Sequence, residues 1–269
     1  MNKHQSVSAE MQQAFEQEGF TVARGLFSRQ QVDELLATMM AMHAAGPIPE
    51  LGYYPVPAEQ ANGDTLKQYP RIIHPHKVNA TARRYLIHPA IMQALGVLFG
   101  EEALAAQAMF YFKPPHARGQ SLHQDNFFLK VEPGTCIAAW VALDPADEEN
   151  GGLVLVPYTN RAEIQCPHEA DQSIFFTNEE VTLPEGATPV PVRLEAGDVL
   201  FFNGNIIHGS YPNRSDVRWR RCFIGHYVGV STTRIGTFYN DLYTADGRRL
   251  QREENRDAGP CGTIVDEIH

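Results

Sequence analysis

Cysteine is scarce. The 269 residues hold four, Cys136, Cys166, Cys222 and Cys261, with no CxxC pair and no spacing of a zinc finger or disulfide framework, so the expectation is four reduced, structural thiols. No apolar run approaches the roughly 18 to 20 residues that a membrane span needs. The first thirty residues lack the basic start, apolar core and small-residue cleavage site of a secretory signal, so the cytoplasm is the default compartment. Positive charge is also in deficit: 22 Lys and Arg stand against 32 Asp and Glu, a formal net charge of −10. Nucleic acids and anionic membranes attract concentrated cationic faces, so neither is expected as a partner. There is no internal repeat, low-complexity tract or heptad pattern, and the oligomeric state is not legible.

What is present is an ordinary globular composition, 43% hydrophobic, in a chain long enough for one large β domain with attached helices. A single domain over 1–269 is expected, with a helical flank at 1–100, a β core at 101–230 and a C-terminal extension at 231–269. Helical spacing runs from Ser8 to Gly19, and Gly19 to Ala23 reads as a short strand. Ser28 and Gln31 form a capping-box pair, after which Val32, Leu35, Leu36, Met39 and Met40 line one face of a helix that ends near Ala44 to Gly46. Residues 46–70 are rich in Gly, Pro, Tyr and Asn without periodicity, a long loop of the kind that carries function, and a candidate lid. Ala80 to Phe99 is helical with one break at Pro89.

After Gly100 the texture changes. Apolar runs at Ala108–Phe112, Cys136–Leu143, Leu153–Val156, Val199–Phe202 and Cys222–Val228 are separated by turn-forming clusters, as in an all-β sandwich or jelly roll. The polar tail after Leu250 is expected to be mobile.

Within this β region Leu122-His123-Gln124-Asp125 is the most informative segment. On a strand, residues i and i+2 project to the same side, so His123 and Asp125 can reach one ion. The best third ligand is His208, which follows a Gly197-Asp198 turn and a buried apolar strand and is followed by Gly209. Two imidazoles and one carboxylate on one face of an octahedral ion leave positions open for a bidentate co-substrate and O₂, the arrangement of non-haem Fe(II) oxygenases. Zinc in a hydrolase would use the same donors. The other histidines are better read as surface or core residues (His4, His43, His88, His168, His269) or as neighbours of a site (His74, His76, His116, His226).

Several motifs in order resemble the phytanoyl-CoA dioxygenase family. They are Phe112-Lys113-Pro114-Pro115, Leu122 to Asp125, Ala139 to Asp144, Glu149-Asn150-Gly151-Gly152-Leu153, Gly197-Asp198, and His208-Gly209-Ser210 with Asn213 and a run of arginines. The match runs from about Gly19 to Tyr227. It implies a mainly β fold, a double-stranded β-helix (a cupin-like jelly roll) with flanking N-terminal helices. It also implies Fe(II), 2-oxoglutarate and O₂ as cofactors, with release of succinate and CO₂ and hydroxylation of a small-molecule substrate. Because Asp125 fills the position a halide would need, hydroxylation is expected over halogenation. The chain departs from the family at Pro157-Tyr158-Thr159-Asn160, where Pro-Gly-Ser-His is usual, which bears on substrate choice.

The distal carboxylate of 2-oxoglutarate calls for a buried arginine, and Arg214, Arg218, Arg220 and Arg221 are candidates. In the family this arginine lies on the strand that continues to a His-aromatic pair, here His226-Tyr227, which selects Arg220. Alternation would place Arg220, Cys222, Ile224 and His226 on one face, with Arg221 pointing away. By the same resemblance Lys77, Met109, Gln124, Trp140 and Ser210 line the co-substrate pocket. For substrate, the expectation is a small polar or anionic metabolite met by the Tyr53–Tyr69 loop, Arg71, His76, Asn126, Phe128, Tyr158 and Asn205. An acyl-CoA or carrier-bound substrate, and a non-oxidative metal enzyme on the same fold, are the alternatives; the second has no use for Arg220.

Overall fold

The computed structural model describes residues 7–257 and 259–262. The helices are α1 (Ala9–Glu18), α2 (Arg29–Ala44), α3 (Thr65–Gln68), α4 (Pro75–Val78), α5 (Ala80–Leu86), α6 (Pro89–Phe99) and α7 (Asp125–Leu129). The early strands are β1 (Phe20–Ala23), β2 (Ile72–Ile73), β3 (Ala103–Tyr111), β4 (Gln120–His123), β5 (Ile137–Ala142) and β6 (Leu153–Leu155). A short hairpin of β7 (His168–Glu169) and β8 (Glu179–Glu180) precedes β9 (Val190–Pro191), β10 (Val199–Asn203), β11 (His208–Ser210) and β12 (Cys222–Gly229). The last strands are β13 (Arg234–Ile235), β14 (Leu242–Tyr243), β15 (Arg249–Leu250) and β16 (Glu253–Glu254).

Local signals set the helix ends. Ser8 caps α1 by accepting from the Met11 amide, and Gly19 closes it in the left-handed region at φ 90°, where a side chain would also collide with Asn160. The Ser28–Gln31 capping box forms as expected, and Val32, Leu35 and Met39 are the buried stripe of α2. Pro89 separates α5 from α6 because it occupies the first turn of the second helix, with His88 as its cap.

The strands form a jelly roll of two sheets. An eight-stranded sheet runs β1-β10-β5-β12-β3-β14-β15, with β2 also on β3; a four-stranded sheet runs β4-β11-β6-β9. Alternation along each central strand of the large sheet divides its side chains between two cores. Ala138, Trp140, Leu200, Phe202, Cys222 and Ile224 face the small sheet and pack with Leu153 and Leu155. Ile137, Ala139, Val141, Val199, Phe201 and Phe223 face the other way, onto Phe15, Leu35, Met39, Leu86, Ile91 and Leu95 of the helices. The large sheet is therefore the middle layer, and its neighbouring side chains, each contributing roughly 1.5–3 kcal/mol on full burial, hold both outer layers. Tyr227 adds a polar tie by donating to the Leu86 carbonyl at 2.7 Å.

Two expectations need correction. First, Asp125 does not lie on a strand: β4 ends at His123 and Asp125 opens α7. Gln124 between them is extended (φ −126°, ψ 121°), so alternation still carries His123 and Asp125 to one side. Second, the thiols are not all free. Cys166 and Cys261 form a disulfide across 95 residues of sequence, which spacing alone cannot reveal, while Cys136 and Cys222 are buried thiols. The flanks also join the β core: β1 and β2 from the first hundred residues and β14 and β15 from the extension pair into the large sheet. Of the tail after Leu250, the stretch to Glu254 adds β16 beside β13; residues 263–269 lie outside the described residues. No helix among the described residues is long and apolar enough to cross a membrane.

The Gly197-Asp198 turn before β10 joins the layers. Asp198, 3% exposed, accepts from the Gly25 amide (2.8 Å), the Glu195 amide (2.9 Å) and the Arg24 guanidinium (2.7 Å). Gly197 has φ 97°, and a side chain there would strike the Phe27 carbonyl. Asp198→Ala leaves these donors without their acceptor, and urea unfolding is expected to show a loss of about 2–4 kcal/mol with an unchanged m value.

Candidate metal centre

The centre is built on the pairing of β4 with β11. In that antiparallel register His123 and His208 stand directly opposite each other, and their rings lie 4.1 Å apart. Gly209 follows because the strands approach so closely that a side chain would meet the Gln120 and Ser121 carbonyls. Asp125 enters from the start of α7, fully buried, with Oδ1 3.7 Å from His123 Nε2 and 3.5 Å from His208 Nε2. The three ligand atoms all lie within 4.8 Å of one another, the one such cluster of three among the described residues.

The imidazoles are oriented for coordination. Nδ1 of His123 lies 2.8 Å from the Ser121 carbonyl, and Nδ1 of His208 lies 3.1 Å from the Ile206 carbonyl. A carbonyl can only accept, so each Nδ1 carries the proton and each Nε2 keeps a lone pair on the side of Asp125; that of His123 accepts from the Gln120 side-chain amide at 3.2 Å. Burial, with His123 alongside, lowers the His208 pKa to about 4, so this ring is neutral at physiological pH, as a ligand must be. Two neutral imidazoles and one carboxylate on one side of a shared point fit a divalent first-row ion and leave its other positions open.

A narrow slot leads from His123 and His208 to Arg220 between Tyr111, Trp140, Phe202, Ser210 and Ile224. Arg220 is 3% exposed and donates to the Gly151 carbonyl (2.9 Å) and the Cys222 sulfur (3.2 Å), with its guanidinium 5.4 Å from the Trp140 ring. No carboxylate pairs with it among the described residues. Its neighbours differ: Arg221 makes a two-bond pair with Asp144, and Arg218 pairs with Asp147 and Glu149. The expected face is present, although Arg220 precedes β12 and is not part of it.

Lys113, not expected at the site, stands beside this arginine. It is 2% exposed and holds φ 37°, unusual for a residue with a side chain. Its Nζ donates to Ser210 Oγ (2.8 Å), the Tyr211 carbonyl (2.5 Å) and the Gly151 carbonyl (3.3 Å). Burial, then the nearby Arg220 charge, pushes its pKa well below the usual lysine value. Ser210 Oγ also accepts from the Gln120 amide at 3.2 Å, so both its lone pairs are engaged and its hydroxyl proton is left to donate. The only sequence signal for Lys113 was the Phe112-Lys113-Pro114-Pro115 motif.

The other expected co-substrate residues divide. Trp140 and Ser210 line the slot; Met109 is buried beneath it, 3.9 Å from the Tyr111 hydroxyl. Gln124 reaches the cavity on the His123 side, but its amide is bonded to the Glu163 and Asn205 carbonyls and to the Gln165 amide. Lys77 is elsewhere, on α4, ion-paired with Asp241 at 3.9 Å.

A cavity of about 200 Å³ opens on the His123 side, lined by Arg71, Gln120, Phe128, Phe176, Thr177 and Asn178 among others. A second, of about 320 Å³, lies on the Arg220 side and shares Arg71 and Phe176 with the first. Arg71 sits between the Tyr111 and Phe176 rings (5.9 and 5.7 Å), donates to the Tyr111 hydroxyl (3.1 Å), and has no carboxylate partner among the described residues. Of the expected substrate residues, Arg71 and Phe128 line a cavity. His76 is buried against Tyr243, and Tyr158 is 72% exposed at a left-handed turn. Asn126 accepts from the Val131 amide and Asn205 from the Thr135 hydroxyl, both as loop braces. The 46–70 loop contributes Asp64, Leu66, Lys67, Tyr69 and Pro70 to the second cavity.

The phytanoyl-CoA dioxygenase family profile matches residues 15–222. The chain belongs to that family. A mouse relative, phytanoyl-CoA dioxygenase domain-containing protein 1, is 29% identical over 70% of this chain and 64% of its own length. The probable alpha-ketoglutarate-dependent hypophosphite dioxygenase of Stutzerimonas stutzeri is 24% identical over 85% of this chain and 81% of its own. Among solved structures, the epimerase SnoN in complex with Fe³⁺, alpha-ketoglutarate and nogalamycin RO superposes with a TM-score of 0.67 at 20% identity, covering 91% of this chain and 93% of SnoN. The chain spans about half to two-thirds of the length of the first phytanoyl-CoA dioxygenase relatives it matches. Members of this family use Fe(II), 2-oxoglutarate and O₂; the donor set described above fits the metal, and the buried Arg220 guanidinium beside it fits an anionic group.

Replacing Asp125 or His208 by Ala should weaken Co(II) binding by at least about a hundredfold in an anaerobic titration. His116→Ala, a change at an exposed ring beside Asp216, should leave it unaltered.

Proposed function

We propose that this chain is an Fe(II)- and 2-oxoglutarate-dependent dioxygenase that hydroxylates an unactivated C–H of a small anionic metabolite. The observation that carries the reading is Arg220, a buried guanidinium with no carboxylate partner among the described residues, across a narrow slot from the metal donors His123 and His208. An unpaired buried cation is costly, and an anionic ligand that completes the pair offsets that cost. The non-oxidative alternative gives Arg220 no task.

His123, Asp125 and His208 would hold the metal, and Arg220 would take the distal carboxylate of 2-oxoglutarate by a two-point bond. Ser210, whose hydroxyl Lys113 and the Gln120 amide turn into a donor, would bind the same carboxylate. Trp140 and Ile224 would flank the methylenes and exclude water. Bound iron and co-substrate supply O₂ activation, oxidative decarboxylation to succinate and CO₂, and the oxidising power for the C–H bond. The protein orients the substrate, from the cavity on the His123 side.

For that substrate, Arg71 is the specificity residue: a guanidinium with no carboxylate partner among the described residues, held over the cavity by two rings, suits a carboxylate or phosphorus oxyanion. The similarity to a probable hypophosphite dioxygenase supports a small anion. A cavity of about 200 Å³ fits a small metabolite and would admit only the reacting end of an acyl-CoA. The whole chain would act as one oxygenase unit. The cytoplasm, expected from the sequence, belongs to the same proposal, and there the Cys166–Cys261 pair would meet a reducing thiol pool.

The test is a screen for succinate production stimulated by candidate compounds. Small anions should stimulate, and Arg71→Ala should raise KM for the active compound by about 10- to 100-fold, the loss of one charge-assisted pair of roughly 1.5–3 kcal/mol. Stimulation only by acyl-CoA thioesters, with Arg71→Ala indifferent, would defeat the substrate proposal.

A further inference from the structure

Behind the metal donors lies a buried chain of polar side chains. Asp125 Oδ2 lies 3.2 Å from His226 Nε2; His226 Nδ1 lies 3.0 Å from the amide oxygen of Gln107; the amide nitrogen of Gln107 lies 3.4 Å from His74 Nε2. All four residues are at most 4% exposed. His74 is fixed at the far end: its ring stacks on Phe238 at 4.6 Å, its backbone amide donates to Ala108, and its residue takes φ 57°.

The donors and acceptors of this chain can be counted. With the Gln107 oxygen facing His226, Nδ1 must carry a proton, and a neutral ring would then turn its Nε2 lone pair onto the Asp125 carboxylate. The amide nitrogen would meanwhile face the ring nitrogen of His74. A half-turn of the amide exchanges its oxygen and nitrogen and moves nothing else. Each contact then becomes a hydrogen bond with neutral rings: His74 Nε2 donates to Gln107, Gln107 donates to His226 Nδ1, and His226 Nε2 donates to Asp125. Burial lowers the His74 pKa well below the usual histidine range, in keeping with a neutral ring there.

We propose that His226, Gln107 and His74 are positioning residues for the metal site, a one-directional donor chain that binds Asp125 Oδ2 and so presents Oδ1 to the metal. His226 belongs to β12, Gln107 to its partner strand β3, and the two are register partners. The sheet pairing that builds the fold therefore also fixes the carboxylate. A metal-bound carboxylate is as well placed as the groups that hold its second oxygen, and loss of such groups typically weakens metal binding about 10- to 100-fold.

The inference rests on the proposed metal site, so two measurements keep the failures apart. In the metal-free protein, ¹⁵N-resolved NMR of the histidine rings should show His226 with its proton on Nε2 and a bare Nδ1. A proton on Nδ1, alone or with one on Nε2, would overturn the donor direction whether or not metal binds. In Co(II) titrations, His226→Phe should weaken binding about 10- to 100-fold and change the visible Co(II) absorption. His226→Gln, whose amide can still donate, should recover part of that loss. Should His226→Phe fail to fold, Gln107→Leu serves: it leaves His226 in place, removes the group that sets its tautomer, and should weaken Co(II) about tenfold. Wild-type affinity and spectrum in folded Gln107→Leu would refute the chain's role. Absence of Co(II) binding by the wild type would instead remove the metal-site proposal on which it rests.

Discussion

The register between β4 and β11 is the constraint on which the rest of the site depends. His123 and His208 are facing residues of one antiparallel pair, and a slip of one residue would send one ring to the opposite side of the sheet. β11 is held on its other edge as well, where His208 and Ser210 pair with Leu155 and Leu153 of β6, and those leucines are buried between the sheets, so a slip of β11 would break two ladders at once. Gly209 permits the close approach and Asp125 arrives on the turn into α7. The hydrophobic pattern and the metal donors thus specify the same alignment.

Charge is distributed with a similar economy. The chain is acidic overall, and most arginines near the site are matched: Arg118 with Asp64, Arg218 with Asp147 and Glu149, Arg221 with Asp144. Arg220 and Arg71 have no such partner among the described residues, and each borders a cavity next to the metal donors. Lys113 is held on neutral oxygens of Ser210, Gly151 and Tyr211, so these contacts bring no carboxylate to Arg220. Against a net charge of −10, the positions of Arg220 and Arg71 are suited to an anionic co-substrate, as proposed above.

Much of this could be read from the sequence because it depends on short spacings. The Ser28–Gln31 box, the Pro89 break and the alternating strands are local rules, and His123 with Asp125 is a two-residue rule that holds although its second member begins a helix. Family likeness and parity select Arg220, which is buried and has no carboxylate partner among the described residues. Contacts made across the fold were not legible. Cys166 meets Cys261 over 95 residues, Lys113 reaches Ser210 over 97, and Gln107 reaches His226 over 119. The family resemblance assigns Lys77 to the co-substrate pocket, and His76 and Asn205 are expected at the substrate, but α4 gives Lys77 to Asp241, Tyr243 covers His76, and Asn205 braces a loop through Thr135.

The most direct test of the account is an anaerobic titration of the metal-free protein with Fe(II) and 2-oxoglutarate, following the weak visible charge-transfer band of their chelate. A band that saturates with both components in the wild type, and needs far more 2-oxoglutarate in Arg220→Ala, is the predicted result. A folded wild type that gives no band, or an Arg220→Ala protein that titrates as the wild type does, would contradict it.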